Sequence, residues 1–227
     1  MRDEGVALVR SALKDEQLQE LLELVAAETA DGAVRHRSGD TYGARGLLRS
    51  RAGLVERLEA FGVGQLAADA VGRVVFPIDA LFFDKHPAAN WAVPAHQDVV
   101  IPVPSDALAD VVGRRRVRDG ITYGEPPSSV LSELVAIRIH FDPSDENGGE
   151  LQVVPGTHRG RVREADARAL PATSFVPCLA EAGDALLMHP LVIHRSSKSL
   201  RDTRRRVLHV LYAPVDGWHA RHRDDAA

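Results

Sequence analysis

From Arg73 onward the chain is a succession of short β-prone runs divided by turn residues, and this texture most restricts the folds open to it. Val74 to Phe83 is rich in β-branched and aromatic residues, and further runs follow at 133–141, 151–154, 175–179, 185–188, 191–194 and 205–212. Asn147-Gly148-Gly149 and Pro155-Gly156 divide them, and glycine supplies the positive φ that such turns need. Many short strands closed by turns indicate a β-sandwich or barrel rather than alternating βαβ units. Helical periodicity is confined to the first third. Gly5 to Arg10 reads as a strand, and Ser11 precedes a helix through about residue 29, with Leu18, Leu21, Leu22 and Val25 on one face. A second helical stretch, about 52–72, is interrupted around Gly62 and Gly64. The expected architecture is one domain over 1–227, mainly β with flanking helices: a helical part at about 1–72 and a jelly-roll core at about 73–213. Residues 104–130 lack clear periodicity and carry Arg114-Arg115-Arg116 and Pro126-Pro127, so they are expected to form a lid beside the site.

Within that frame the chemistry centres on His96-Gln97-Asp98. In an extended run His96 and Asp98 share one face and Gln97 takes the other. An imidazole beside a carboxylate supplies two legs of a 2-His-1-carboxylate site, which holds non-haem Fe(II) and leaves positions open. Ten histidines and 19 aspartates would yield about one His-x-Asp triplet by chance. One such decoy, His222-Arg223-Asp224, stands in a charged tail and is read as solvated terminus. The third ligand must be a histidine brought close by the fold, from His140, His158, His189, His194 and His209. His194 ends the apolar run Leu191-Val192-Ile193 and opens onto Arg195-Ser196-Ser197, a place where a ligand is rigidly held yet meets substrate. Eleven residues on, Arg205 heads the last strand, and a guanidinium in a barrel mouth matches a carboxylate bidentately.

These residues, taken with Glu146-Asn147-Gly148-Gly149-Glu150-Leu151, Val154-Pro155-Gly156-Thr157-His158-Arg159 and Gly183-Asp184, give the chain a resemblance to the phytanoyl-CoA dioxygenase family of Fe(II)/2-oxoglutarate-dependent oxygenases. The resemblance runs from about residue 5 to 213. It implies a double-stranded β-helix, with Fe(II) on His96, Asp98 and His194. It also implies 2-oxoglutarate held at its distal carboxylate by Arg205 with help from Ser196, and O2 as the oxidant. The offset from His194 selects Arg205 over its rivals Arg201, Arg204 and Arg206. Arg138 stands where many members carry an aromatic residue. It shares a strand face with His140, so it is a candidate contact to co-substrate or to an anionic substrate. Lys85, Trp91 and Gln97 are candidate substrate contacts. An intact Asp98 favours hydroxylation, because related halogenases replace this carboxylate with chloride.

Composition narrows the partners. A net charge of −4 with scattered basic residues argues against nucleic acid, though not against a small anionic substrate. The single Cys178 excludes an internal disulfide framework and is read as a small buried residue. No apolar run is long enough for a membrane span, so a cytoplasmic protein acting on a small-molecule metabolite or natural-product intermediate is expected. The competing reading is a cupin-like isomerase or ligand sensor without oxygenase turnover; a chelating dicarboxylate needs an anchor such as Arg205, which a simple cupin does not.

Overall fold

The computed structural model describes residues 1–27, 34–37, 40–103, 115–118 and 120–217. In chain order the first part comprises β1 (Val6–Val9), α1 (Asp15–Ala26), β2 (Val34–Arg37), β3 (Asp40–Ala44), α2 (Leu47–Ser50), α3 (Leu54–Ala60) and α4 (Val63–Val71). Next come β4 (Val75–Lys85), β5 (Val93–His96), β6 (Ile101–Pro102), β7 (Arg116–Arg118), β8 (Ile121–Gly124), α5 (Ser128–Leu131) and β9 (Val135–His140). The remainder is β10 (Leu151–Val154), α6 (Glu164–Arg168), β11 (Val176–Cys178), β12 (Ala185–Met188), β13 (Ile193–Ser196) and β14 (Arg205–Pro214). A seven-stranded antiparallel sheet, ordered β1-β12-β9-β14-β4-β3-β2, faces a four-stranded sheet, β11-β10-β13-β5. Together they form the jelly roll, and a small sheet β6-β8-β7 stands at its side.

Two cores follow from period-2 alternation along the large sheet. Val135, Ile137 and Ile139 of β9 and Leu208, Val210 and Tyr212 of β14 face outward, where Leu21, Leu54, Leu58 and Val63 of the helices cover them. The intervening residues face the small sheet; Ala136, Leu186, Met188 and Leu211 pack there with Leu151, Val153 and Leu191. The helix-covered part of one face of the large sheet is therefore apolar, and the other face grades from apolar packing into a polar interior.

Three expectations need correction. Residues 1–72 hold more than the expected strand at 5–10 and the helices, because β2 and β3 also join the large sheet. The 104–130 segment is not wholly irregular: β7 and β8 form a hairpin whose inner strand pairs with β6. Residues 104–114 and 119 of that segment, the end of the first helical run and the His222 tail lie outside the described residues. Cys178 is half-buried rather than a core residue, with Val176 and Leu179 beside it exposed. The helical break falls at Gly62, which adopts φ 76° between α3 and α4.

Gln97 leaves the site altogether. Its amide nitrogen donates to Gly160 O at 2.8 Å and Leu191 O at 2.6 Å, while its oxygen accepts from Val162 N at 2.8 Å. It straps the 160–162 segment to the strand that carries the metal candidates, and it does not line the cavity. Gln97→Ala would leave these buried backbone groups unpaired, so chemical denaturation is expected to show a loss of about 3 kcal/mol. A loss below about 1 kcal/mol would mean that water replaces the strap.

Candidate active site

β5 and β13 are neighbours in the small sheet, and their register sets His96 directly opposite His194. The ring centroids are 4.2 Å apart. Each imidazole is oriented by a local carbonyl: His96 Nδ1 lies 2.8 Å from Pro94 O, and His194 Nδ1 lies 3.0 Å from Val192 O. A proton on Nδ1 satisfies that carbonyl and leaves the Nε2 lone pair free, as ligating histidines require. Both Nε2 atoms point at Asp98, 3.4 Å from Oδ1 for His96 and 3.6 Å from Oδ2 for His194. The backbone of Asp98 is pinned through its N–H to Pro190 O at 2.8 Å. One ligand atom from each residue falls within 4.8 Å of the others, a set that could hold a metal ion. Two imidazole nitrogens and one carboxylate fit Fe(II) with open positions. Burial would raise the Asp98 carboxyl, yet the charges of His194 and His96 and the His96 hydrogen bond hold it well below the usual carboxylate range. His194 moves the other way: burial pushes it down to about 4, against the pull of Asp98. His194 is thus held neutral beside an ionised carboxylate, the states that bind metal. His96, against its burial, is raised by the hydrogen bond and charge of Asp98, which a metal ion would displace.

The facing sheet supplies cations. Arg205 opposes Lys85 across the β14–β4 ladder, and His209 opposes Arg138 across the β14–β9 ladder. Arg205 is buried, and its Nε and Nη1 have no hydrogen-bond partner among the described residues. Burial and the nearby Arg138 charge push it down to about 9. Its rivals are consumed elsewhere. Arg204 grips Asp84 at 2.9 and 2.6 Å, Arg206 grips Asp142 at 2.8 and 2.6 Å, and Arg201 pairs with Asp145. Alternation explains the sorting, because Arg204 and Arg206 flank Arg205 and face the other way.

Lys85 is 1% exposed and does not line the cavity. Its ammonium donates to Ser197 O at 2.6 Å, reaches Gly149 O at 3.4 Å and Ser196 Oγ at 3.5 Å, and lies 5.3 Å from the Trp91 ring centroid. Burial, then the charges of Arg205 and Arg138, lower it to about 7. Gly149, at φ +73°, is required here, since a Cβ would sit 3.0 Å from the Lys85 Nζ and 2.9 Å from Ser199 N. Lys85 therefore backs Ser196 rather than meeting substrate directly. Arg138 does line the cavity; its Nη1 lies 3.2 Å from His209 Nδ1, and its guanidinium sits 5.7 Å from the Phe83 ring centroid.

These groups open onto one cavity of about 370 Å³, lined among others by His96, Asp98, His194, Ser196, Arg205, Arg138 and Trp91. His158 and His189 lie outside it and face each other at 5.2 Å. His140 is fully buried, and neither ring nitrogen has a hydrogen-bond partner among the described residues. Among the cavity residues that escaped sequence reasoning are Arg45, Asp79 and Tyr123; an aspartate inside the apolar run from Val74 to Phe83 was the signal for the second.

The profile of the phytanoyl-CoA dioxygenase (PhyH) family matches residues 1–207. The chain belongs to the phytanoyl-CoA dioxygenase family. It is accordingly an enzyme of the 2-oxoglutarate-dependent non-haem iron class. Solved structures share the fold. AviO1 from Streptomyces viridochromogenes Tue57 is 22% identical, with 95% of this chain and 92% of that one covered, at a TM-score of 0.67. The non-haem α-ketoglutarate-dependent epimerase SnoN from nogalamycin biosynthesis is 15% identical, with 94% and 78% covered, at 0.65. EctD from S. alaskensis, solved with 2-oxoglutarate and 5-hydroxyectoine, is 14% identical, with 95% and 74% covered, at 0.70. No curated protein matches the sequence. No helix among the described residues is long and apolar enough to cross a membrane.

Proposed function

We propose that the protein hydroxylates a small-molecule metabolite or natural-product intermediate, with Fe(II) on His96, Asp98 and His194 and 2-oxoglutarate anchored by Arg205. The observation that carries this reading is the pairing of two opposed features across one cavity. On one side, two Nε2 atoms converge on a carboxylate; on the other, a buried guanidinium lacks an acid partner. An unpaired buried cation is costly, and a dicarboxylate co-substrate supplies the missing charge. Bound together, Fe(II) and 2-oxoglutarate supply oxidation of a substrate C–H bond by O2, with release of succinate and CO2.

The chain's own groups orient that chemistry. Arg205, with Ser196 beside it, would take the distal carboxylate, while Lys85 holds the Ser196–Ser197 backbone in place through Ser197 O. Arg138 is kept in the interior by His209 and would carry a second positive charge towards the co-substrate. Trp91 and Phe83 wall the cavity and exclude water. The test incubates the protein with Fe(II), 2-oxoglutarate and O2 and measures succinate across a panel of small metabolites. Succinate above a His194→Ala control supports the assignment, and its absence across the panel overturns it.

A further inference from the structure

The cavity extends beyond the metal candidates to a group that neither metal nor co-substrate accounts for. Arg205 and Leu211 are six residues apart on β14, about 20 Å of strand. Leu211 opposes Asp79 across the ladder to β4. Asp79 therefore stands at the opposite end of the interior from the Arg205 anchor. Between them lies the Arg138–His209 row, and the Asp98 charge acts on both of those residues and on Asp79. A co-substrate stretched from the metal to Arg205 leaves the Asp79 end to the substrate.

Asp79 is 7% exposed and lines the cavity. Its side chain accepts from Tyr123 Oη at 3.4 Å, a long bond, and no cation stands within ion-pair distance among the described residues. Burial pushes its carboxyl up to about 6, partly offset by the Ala80 N–H and the Arg45 charge. A buried carboxylate with so little compensation is costly in a structural role, and it is well placed to accept a hydrogen bond from a ligand. The sign of the surroundings says which ligand. Six arginines line the cavity (Arg45, Arg116, Arg118, Arg138, Arg195 and Arg205) against two aspartates. Arg195 donates to Gln152 and stacks 3.8 Å from the Phe175 ring centroid, so it is spent locally. Fe(II) and the 2-oxoglutarate dianion bring equal and opposite charge, so loading them leaves the excess of positive charge untouched. An ammonium-bearing substrate would be repelled by that field, whereas an acid would be drawn in.

We propose that the substrate is a hydroxylated organic anion whose acid group, carboxylate or phosphate, meets Arg45 and Arg116 while a hydroxyl donates to Asp79. This rests on the oxygenase reading of the same cavity. Calorimetry tests it on the full chain without O2, both unloaded and loaded with Fe(II) and saturating 2-oxoglutarate. The probes are glycerate, glycerol 3-phosphate, propionate, inorganic phosphate and glycerol. Each hydroxylated anion is expected to bind about tenfold more tightly than its hydroxyl-free counterpart, and glycerol most weakly. Asp79→Ala and the isosteric Asp79→Asn should each reduce that preference to about threefold or less, and Arg45→Ala should weaken all anions alike. Thermal midpoints establish that each variant folds, and the asparagine carries the test if the alanine does not. Equal binding of glycerate and propionate, or a preference that survives both Asp79 variants, overturns the proposal. Failure of Fe(II) and 2-oxoglutarate to load, with an Asp79-dependent preference still present in the unloaded protein, would instead sink the oxygenase reading and leave the anion site standing.

Discussion

His194→Ala is expected to lower Fe(II) affinity by at least about 100-fold, because losing even an outer partner of a metal-bound histidine costs 10- to 100-fold. The effect is direct. His194 would supply one of three ligand atoms, and its Nε2 is aimed at Asp98 by the Val192 carbonyl. Anaerobic titration with Fe(II), followed by counting of bound metal after desalting, gives the readout. The fold should survive, since the imidazole faces the cavity and the apolar packing of β13 rests on Ile193 instead. Retention of wild-type affinity would place the metal elsewhere, and His209, the other cavity histidine, would then be the ligand to test.

Arg205→Ala is the second large effect, and it should separate two quantities. The KM for 2-oxoglutarate is expected to rise about 100-fold or more, as loss of one partner of a buried charge pair does. Fe(II) binding should stay within about twofold, because Arg205 belongs to the large sheet and the three metal candidates belong to the β5–β13 side. The variant is also expected to melt higher than wild type when no co-substrate is present. Arg205 is buried beside Arg138 and Lys85, and its pKa is pushed down by burial and by Arg138, so the unliganded fold carries it at a cost. Loss of iron along with 2-oxoglutarate would show that the guanidinium has been assigned the wrong task.

Sequence reasoning reached the parts of the fold that local pattern determines. The strands 151–154 and 185–188 match their expected bounds, and the helical break sits at Gly62, because in each case a few adjacent residues state the preference. The β7–β8 hairpin was illegible for the opposite reason. Arg-Val-Arg is no strand by composition, and it becomes one only because β8 pairs at once with β6 and β7. At the site, alternation placed Gln97 on the face opposite His96 and Asp98. The structure gives that face a specific use, strapping 160–162, in place of the substrate contact proposed for it. Lys85 reads in sequence as equally suited to surface or pocket; only the fold shows it sealed beneath Ser196 by the approach of Gly149. Asp79 needed the topology most, since nothing local says that an acid on β4 shares a cavity with an acid just beyond β5.

The division of labour between the two sheets has a mechanical consequence. The metal candidates lie on the β5–β13 side and the cations Arg205, Arg138 and Lys85 on the large sheet, where their like charges repel one another. A co-substrate bound to both sides would then be a removable cross-brace, a second tie between the sheets beside the one Lys85 makes to Ser196 and Ser197. Loading at about 100 times its Kd would add about 2.7 kcal/mol to the folded state. Much of that resistance would appear as suppressed breathing between the sheets, so the enzyme is stiffest when it is charged for turnover and loosens as succinate departs.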